Sequence, residues 1–401
     1  MTSVFTVKQI PTAEELISRA EDMVPALRAI AQETEDANTA SPEVIQKFKD
    51  AGFFKILQPR KWGGYGMTPE VFYRVLMELG RGCPSSAWCL MILGVHQWEF
   101  GKMDPRAGDE IWADSNEILV ASSYAPVGKA KKVDGGWLLS GTWPTSSGSD
   151  HAEGGAFLGA RTFNQEGSPV DLRVFLVRRE DYVLLDDWNV VGLKGTGSKT
   201  LKLKDDTFIP DHRSHSAIDY KHIDGADVTY NLPFLETFQG AVSALIVGFA
   251  QGMVDLYIEH MTPRQNVFVG SPVAAQNPFV QQKLGNAILL IRSARARLLQ
   301  LMHESIKSVE MNGLVALEDR VYNSLDIQSV SKDCFSASHM LFKKTSARGI
   351  FLSSPLQRQL RSILVASNHV TQNEDDSSAI LGAYLLGQGL PPGLFEVPPM
   401  Q

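Results

Sequence analysis

His96 stands in the run SSAWCLMILGVHQWEF, where Trp88, Ile92, His96 and Glu99 recur at three- and four-residue spacing and so share one face of an expected helix. Imidazole changes charge near neutral pH, so a histidine facing a pocket can serve as a general base. On an apolar face a lone histidine is more often a hydrogen-bonded core residue. Ser147 sits in GTWPTSSGSDHA (141–152), where an ordinary turn serine is equally at home. Thr196, Gly197 and Ser198 form a G-T-G-S turn with Gly195, whose glycines permit tight backbone geometry and whose hydroxyls can face a phosphate. His369 lies in LRSILVASNHVTQNEDDSS with Glu374 nearby, and Arg264 follows a long helical stretch, either solvated or available to an anion. No H-x-x-x-H, H-E-x-x-H or facial carboxylate–histidine spacing occurs, so no metal is expected. No G-x-G-x-x-G follows a strand to open a helix, which argues against an internal nicotinamide site.

The elements that must position these groups change character along the chain. From Thr12 to Glu35, Leu16, Ala20, Met23, Leu27 and Ile30 repeat with helical period. Ser41-Pro42-Glu43 supplies an N-cap, a first-turn proline and an acidic first turn for a second helix through Lys49, ended by Gly52. Segments favouring strands follow at Ile118–Ser123, Gly136–Leu139, Leu172–Val177 and Thr200–Lys204, separated by turn clusters. Helical period returns over roughly 238–261, 279–311, 320–345 and 355–370, which suggests a bundle. The expected domains are helical over 1–118, β over 119–229 and a helical bundle over 230–401.

The bulk composition narrows the class. The chain has 401 residues, of which 44% are hydrophobic and 21% charged, so it folds and is large enough for several lobes. A net charge of −7 removes the basic field that nucleic-acid binding needs. Cys83, Cys89 and Cys334 are too few for a disulfide framework. The apolar stretch from Ala241 to Met253 is interrupted by Ser243, Gly248, Gln251 and Gly252 and reads as a buried helix; no membrane span and no targeting peptide are expected, which places the protein in the cytoplasm.

Four segments, GFFKILQPRKWGGYGM (52–67), SSYAPVG (122–128), GTWPTSSGSDHA (141–152) and VGLKGTGSKTLKLKDDTFIP (191–210), resemble the acyl-CoA dehydrogenase superfamily in content, order and spacing. The resemblance implies a mostly α fold with a central β-barrel-like domain, between an N-terminal helical domain and a C-terminal four-helix bundle. SSGSDHA and the ending LGQGLPPG are similar to one branch, the oxygenase components of two-component flavin hydroxylases acting on 4-hydroxyphenylacetate, phenolic steroid intermediates or related aromatics. That branch takes FMNH2 or FADH2 from a separate NAD(P)H:flavin reductase and, with O2, forms a C4a-hydroperoxyflavin that oxygenates a small phenolic or indole-like ring.

The resemblance assigns roles residue by residue. His96 matches a histidine beside the substrate oxygen, Ser147 a serine donating near flavin N5, and His369 a histidine close to the flavin. Ser122, Ser123, Tyr124 and Trp143 lie on segments bordering the isoalloxazine ring, with Thr196 and Ser198 at its edge and Arg264 toward its phosphate across a subunit boundary. Thr145 stands where related hydroxylases usually carry a second tryptophan. A homotetramer is implied. The alternative is an acyl-CoA dehydrogenase with bound FAD, for which Glu374 or Asp375 would be the base, although the I-Y-E-G-T-like segment that usually carries it is not found. A catalytically silent relative is a third possibility, opposed by the presence of both histidines and the serine.

Overall fold

The computed structural model describes residues 9–163, 169–265 and 273–390. It opens with helices α1 (Ala13–Asp36), α2 (Pro42–Asp50), α3 (Pro69–Leu79), α4 (Pro84–Glu99) and α5 (Pro105–Ile111). Thr12 caps α1 through a reciprocal capping box with Glu15, and Ser41 caps α2 ahead of Pro42, so both predicted starts are realised.

Among the described residues nine strands follow: β1 (Val120–Val133), β2 (Gly136–Ser140), β3 (Thr142–Ser146), β4 (Gly155–Phe163), β5 (Pro169–Val177), β6 (Tyr182–Leu185), β7 (Lys199–Leu203), β8 (Thr207–Pro210) and β9 (Ser214–Ser216). They form a six-stranded sheet, ordered β8-β2-β1-β4-β5-β9, and a three-stranded sheet, β3-β7-β6. Then come α6 (Phe234–Met261), α7 (Pro278–Asn312), α8 (Leu317–Phe342), α9 (Pro355–Ser367) and α10 (Glu374–Leu385). The four expected long helices are all there, and α10 is a fifth that helical periodicity did not predict.

Helix α4 is the axle of the molecule. It packs against α1, α3, α6 and β1, and every residue in it except Ile92 is buried. A helix apolar all round belongs in the centre of a large core. Gly94 makes the packing possible, since a Cβ there would lie 2.7 Å from the Phe72 ring tip on α3. Helix α6 is long and apolar enough to cross a membrane, yet 83% of its most apolar window is buried inside the protein.

The larger sheet carries its widest irregularity between its two central strands, beside a smaller one between β4 and β5 at Thr162/Phe163. β1 and β4 pair in parallel, but Ser123 faces Leu158 and Gly128 faces Ala160, five steps along β1 against two along β4. The extra residues bulge out at Tyr124–Val127. Gly159 permits it, because a Cβ there would meet the Tyr124 carbonyl at 2.4 Å.

Candidate active site

The last two turns of α4 present His96 and Glu99, both with fully buried side chains. His96 Nδ1 lies 3.0 Å from Glu99 Oε2, and the bulge in β1 delivers the Tyr124 hydroxyl, which donates to the same oxygen at 2.5 Å. His215, on the edge strand β9, approaches Glu99 Oε1 with its Nε2 at 2.6 Å. Burial opposes ionisation of Glu99, yet hydrogen bonds from His215 and His96 more than offset it and hold the carboxyl below its usual range. Burial, reinforced by the Glu99 carboxylate, pushes the Tyr124 phenol well above its usual range, so it remains a donor.

The carboxylate decides the His96 tautomer. A donor at Nδ1 satisfies Glu99, which leaves the lone pair on Nε2. That Nε2 is buried and without a partner among the described residues. Around it stand the rings of Tyr124, Phe157 and Phe238, with centroids 5.7, 5.5 and 5.4 Å from the imidazole. An unsatisfied acceptor in an aromatic box suits a flat ligand that brings one donor.

Two turns earlier on the same helix, Trp88 starts a second constellation. Its indole N–H donates to Ser147 Oγ at 3.0 Å, and its ring meets His369 edge-on at 5.8 Å between centroids. Ser147 and Ser198 hydroxyls are 2.7 Å apart, as are those of Ser198 and Thr196, and Thr196 donates to the Leu193 carbonyl at 2.8 Å. Each hydroxyl has one proton, so the chain runs one way: Thr196 donates to the carbonyl, Ser198 to Thr196 and Ser147 to Ser198. Turning the Ser147 proton toward a ligand therefore breaks one hydroxyl–hydroxyl bond, worth about 1 kcal/mol, which the new bond replaces.

His369 accepts from the Thr371 backbone N–H at Nδ1, 3.3 Å away, and burial pushes its imidazole down to about 4. It is therefore neutral at pH 7, with its proton on Nε2. On either side of Ser147, the buried hydroxyls of Ser146 and Ser149 lack partners among the described residues. Thr145, beside them, holds φ at 59°, a strained value for a β-branched residue, within the bulge that separates the Trp143 and Ser146 pairings.

The remaining expected residues divide. Ser123 donates to the Pro144 carbonyl at 2.6 Å, tying the 122–124 segment to the 143–147 segment, and Ser122 is buried beside it. Tyr124 is directed to the His96–Glu99 cluster. Trp143 is fully buried, its N–H donating to the Gly159 carbonyl at 2.7 Å, so in this structure it packs the β core and presents no face. Arg264 donates to Thr345 O at 2.9 Å and Ser346 Oγ at 2.6 Å, with longer approaches to Lys344 O and Met261 Sδ, closing the segment after α8. Glu374 pairs with Lys332 at 3.3 Å at the start of α10. Trp88 and Glu99 were placed on the right face by their spacing but given no role, and His215, far along the chain, carried no local signal.

A flavin ring edge needs neutral donors and acceptors together, and the Ser147–Ser198–Thr196 hydroxyls, the unpartnered serines and neutral His369 fit that need.

Comparison with known proteins identifies the family. Residues 12–104 match the acyl-CoA dehydrogenase N-terminal domain and residues 241–374 the acyl-CoA dehydrogenase C-terminal domain. The chain is 32% identical to the flavin-dependent monooxygenase oxygenase subunit HsaA of Mycobacterium tuberculosis, over 98% of this chain and 99% of that protein. The crystal structure of that monooxygenase superposes with a TM-score of 0.88 at 31% identity, covering 96% of this chain and 99% of the other. The oxygenase component of the FADH(2)-dependent resorcinol hydroxylase of Rhizobium sp. (strain MTP-10005) is 30% identical over 93% of this chain and 94% of its own length.

Proposed function

Because this chain belongs to the oxygenase subunits of flavin-dependent monooxygenases, built on the acyl-CoA dehydrogenase fold, we propose that it oxygenates a small phenol whose hydroxyl is held on His96 Nε2. The enzyme is the oxygenase component of a two-component system, using reduced flavin and O2. When bound, the reduced flavin supplies the electrons that activate O2 for insertion of one oxygen atom into the ring.

The single observation that carries the phenolic reading is the buried, unpartnered Nε2 inside a box of aromatic rings. Accepting the phenol proton there leaves the electron pair on oxygen and enriches the ring at the positions to be oxygenated. Ser147, Ser198, Thr196 and His369 would hold the flavin edge, with Arg264 available to its phosphate. Trp88 holds Ser147 and His369 in one frame, and the buried rings of α6 and β4 exclude water from the substrate end.

The flavin is reduced by a separate NAD(P)H-dependent reductase. Cytoplasmic location fits that supply and the three buried free cysteines. Assembly as a homotetramer is supported by exposed apolar groups, among them Phe279 and Leu289 on α7 and Leu352.

The test supplies chemically reduced FMN or FAD with O2 to the pure protein and a panel of phenols including resorcinol, with indole as comparison, and looks for a gain of one oxygen by mass. His96→Ala should lower hydroxylated product by about 10²–10⁴-fold while reduced flavin is still consumed and H2O2 is released. A folded His96→Ala protein that still forms product at the wild-type rate would overturn this reading.

A further inference from the structure

Glu99 receives three donors on one fully buried carboxylate: His96 from its own helix, Tyr124 from β1 and His215 from β9. β4 and α6 add Phe157, Phe234 and Phe238, in ring contact with His96, Tyr124 or His215, while β5 pairs with the His215 strand through Val174 and carries Arg173 opposite Ser216. His215 is held from both sides, since its Nδ1 lies 2.9 Å from the Ser216 carbonyl while its Nε2 faces Glu99. A carbonyl accepts only, so Nδ1 carries a proton, and a second proton lies between Nε2 and Glu99. The pair shares that proton and is neutral as a unit.

A buried ion pair is weak evidence for stability, because well-packed apolar side chains usually serve as well or better. This one points at a ring whose far nitrogen is open. We propose that Glu99 and His215 are a positioning pair for His96: Glu99 sets the imidazole with its proton on Nδ1 and its lone pair on Nε2, and His215 holds Glu99 in that position and charge state. The inference rests on the phenolic reading of His96 and adds what makes that base work. When the phenol O–H bond breaks and the Nε2–H bond forms, the electron pair stays on the phenol oxygen. The new imidazolium then lies between phenolate and Glu99 carboxylate, so the positive charge is met on both sides. Without Glu99 the ring could carry its single proton on Nε2 and present a donor where an acceptor is required.

The experiment uses 4-nitrophenol, whose phenolate absorbs in the visible, bound to the full-length protein across a pH series. In wild type the bound dye should ionise at a pH at least about one unit below the free dye, a tenfold preference for phenolate. His96→Ala should abolish that shift. Glu99→Gln should return the midpoint by about one unit or more, His215→Gln should return it partly, and His215→Lys, which keeps a cation, should recover most of it. Thermal melts by circular dichroism establish that each variant is folded; if Glu99→Gln is not, His215, at the edge of the sheet, carries the test. If wild type leaves the dye unshifted, or His96→Ala keeps the shift, the phenolic reading fails and the pair with it. If His96→Ala abolishes the shift but the folded Glu99 and His215 variants keep the wild-type midpoint, the positioning pair is overturned while the phenolic reading stands.

Discussion

His369 shows how one buried ring ties function to pH. Its imidazole falls from a usual 6.5 to about 4, because burial disfavours the charged form. As pH drops below 6.5 the unfolded chain takes up a proton that the native ring refuses, so this group lowers stability progressively between pH 6.5 and about 4 and has no effect above. Melting curves over that interval should be flatter for His369→Gln than for wild type; parallel curves would show that the ring is not kept neutral. Ser147→Ala strands the Trp88 indole N–H, a buried donor whose loss of partner costs about 1–3 kcal/mol. The variant should melt a few degrees lower and convert a larger share of consumed O2 to H2O2. An unchanged ratio of product to O2 would separate Ser147 from the chemistry. The serine and both histidines could be picked out in the sequence because they lie in short motifs. His215 could not, since its partner Glu99 is on a distant helix and only the sheet edge brings them together.

Among the elements, legibility followed periodicity. The helices α1, α2 and α6–α9 were readable because caps and apolar stripes recur at helical spacing. β4, GAFLGARTF, was missed because its first six residues are all buried, so small and apolar residues do not alternate with polar ones. The expected strand over Ile118–Ser123 is only the start of β1, which passes through a bulge holding Pro126 and continues to Val133. α10 escaped because its acidic start, Glu374-Asp375-Asp376, resembles a loop until it is seen as a first helical turn. The contact between α6, α7 and α8 supplies a test at this scale. Glu236 on α6 is buried beside Ser305, Asn323 and Arg320, and burial, only partly offset by them, pushes its carboxyl up to about 7. A raised acid stabilises below its usual 4.5 and loses that contribution as pH rises through about 7. Glu236→Gln should therefore melt higher than wild type at pH 8 and differ little at pH 5; the reverse order would mean that the Arg320 attraction outweighs burial.

At the level of the whole molecule, the apolar surface asks for partners. On α7, Ile291, Leu298, Leu301 and Met302 are buried within the chain, whereas Leu289 stays 66% exposed and Phe279 67%. Light scattering at micromolar concentration should give about four times the chain mass, and a monomer would remove the proposed assembly and the cross-subunit use of Arg264 with it. The molecule also contains its own gauge. Trp88, which touches Ser147 and His369, and His96, the proposed phenol acceptor, are eight residues apart on one buried helix, so their backbones are about 12 Å apart along its axis. A helix clamped on all sides cannot stretch, so on the proposed reading the span between flavin edge and phenol is dictated by residue count rather than by loop motion. Substrate range should then drift by remodelling the walls, Phe157, Phe234 and Phe238, at constant span. An inserted residue between Gly94 and His96 would turn the imidazole by about 100° and disconnect the two ends of the site in a single step.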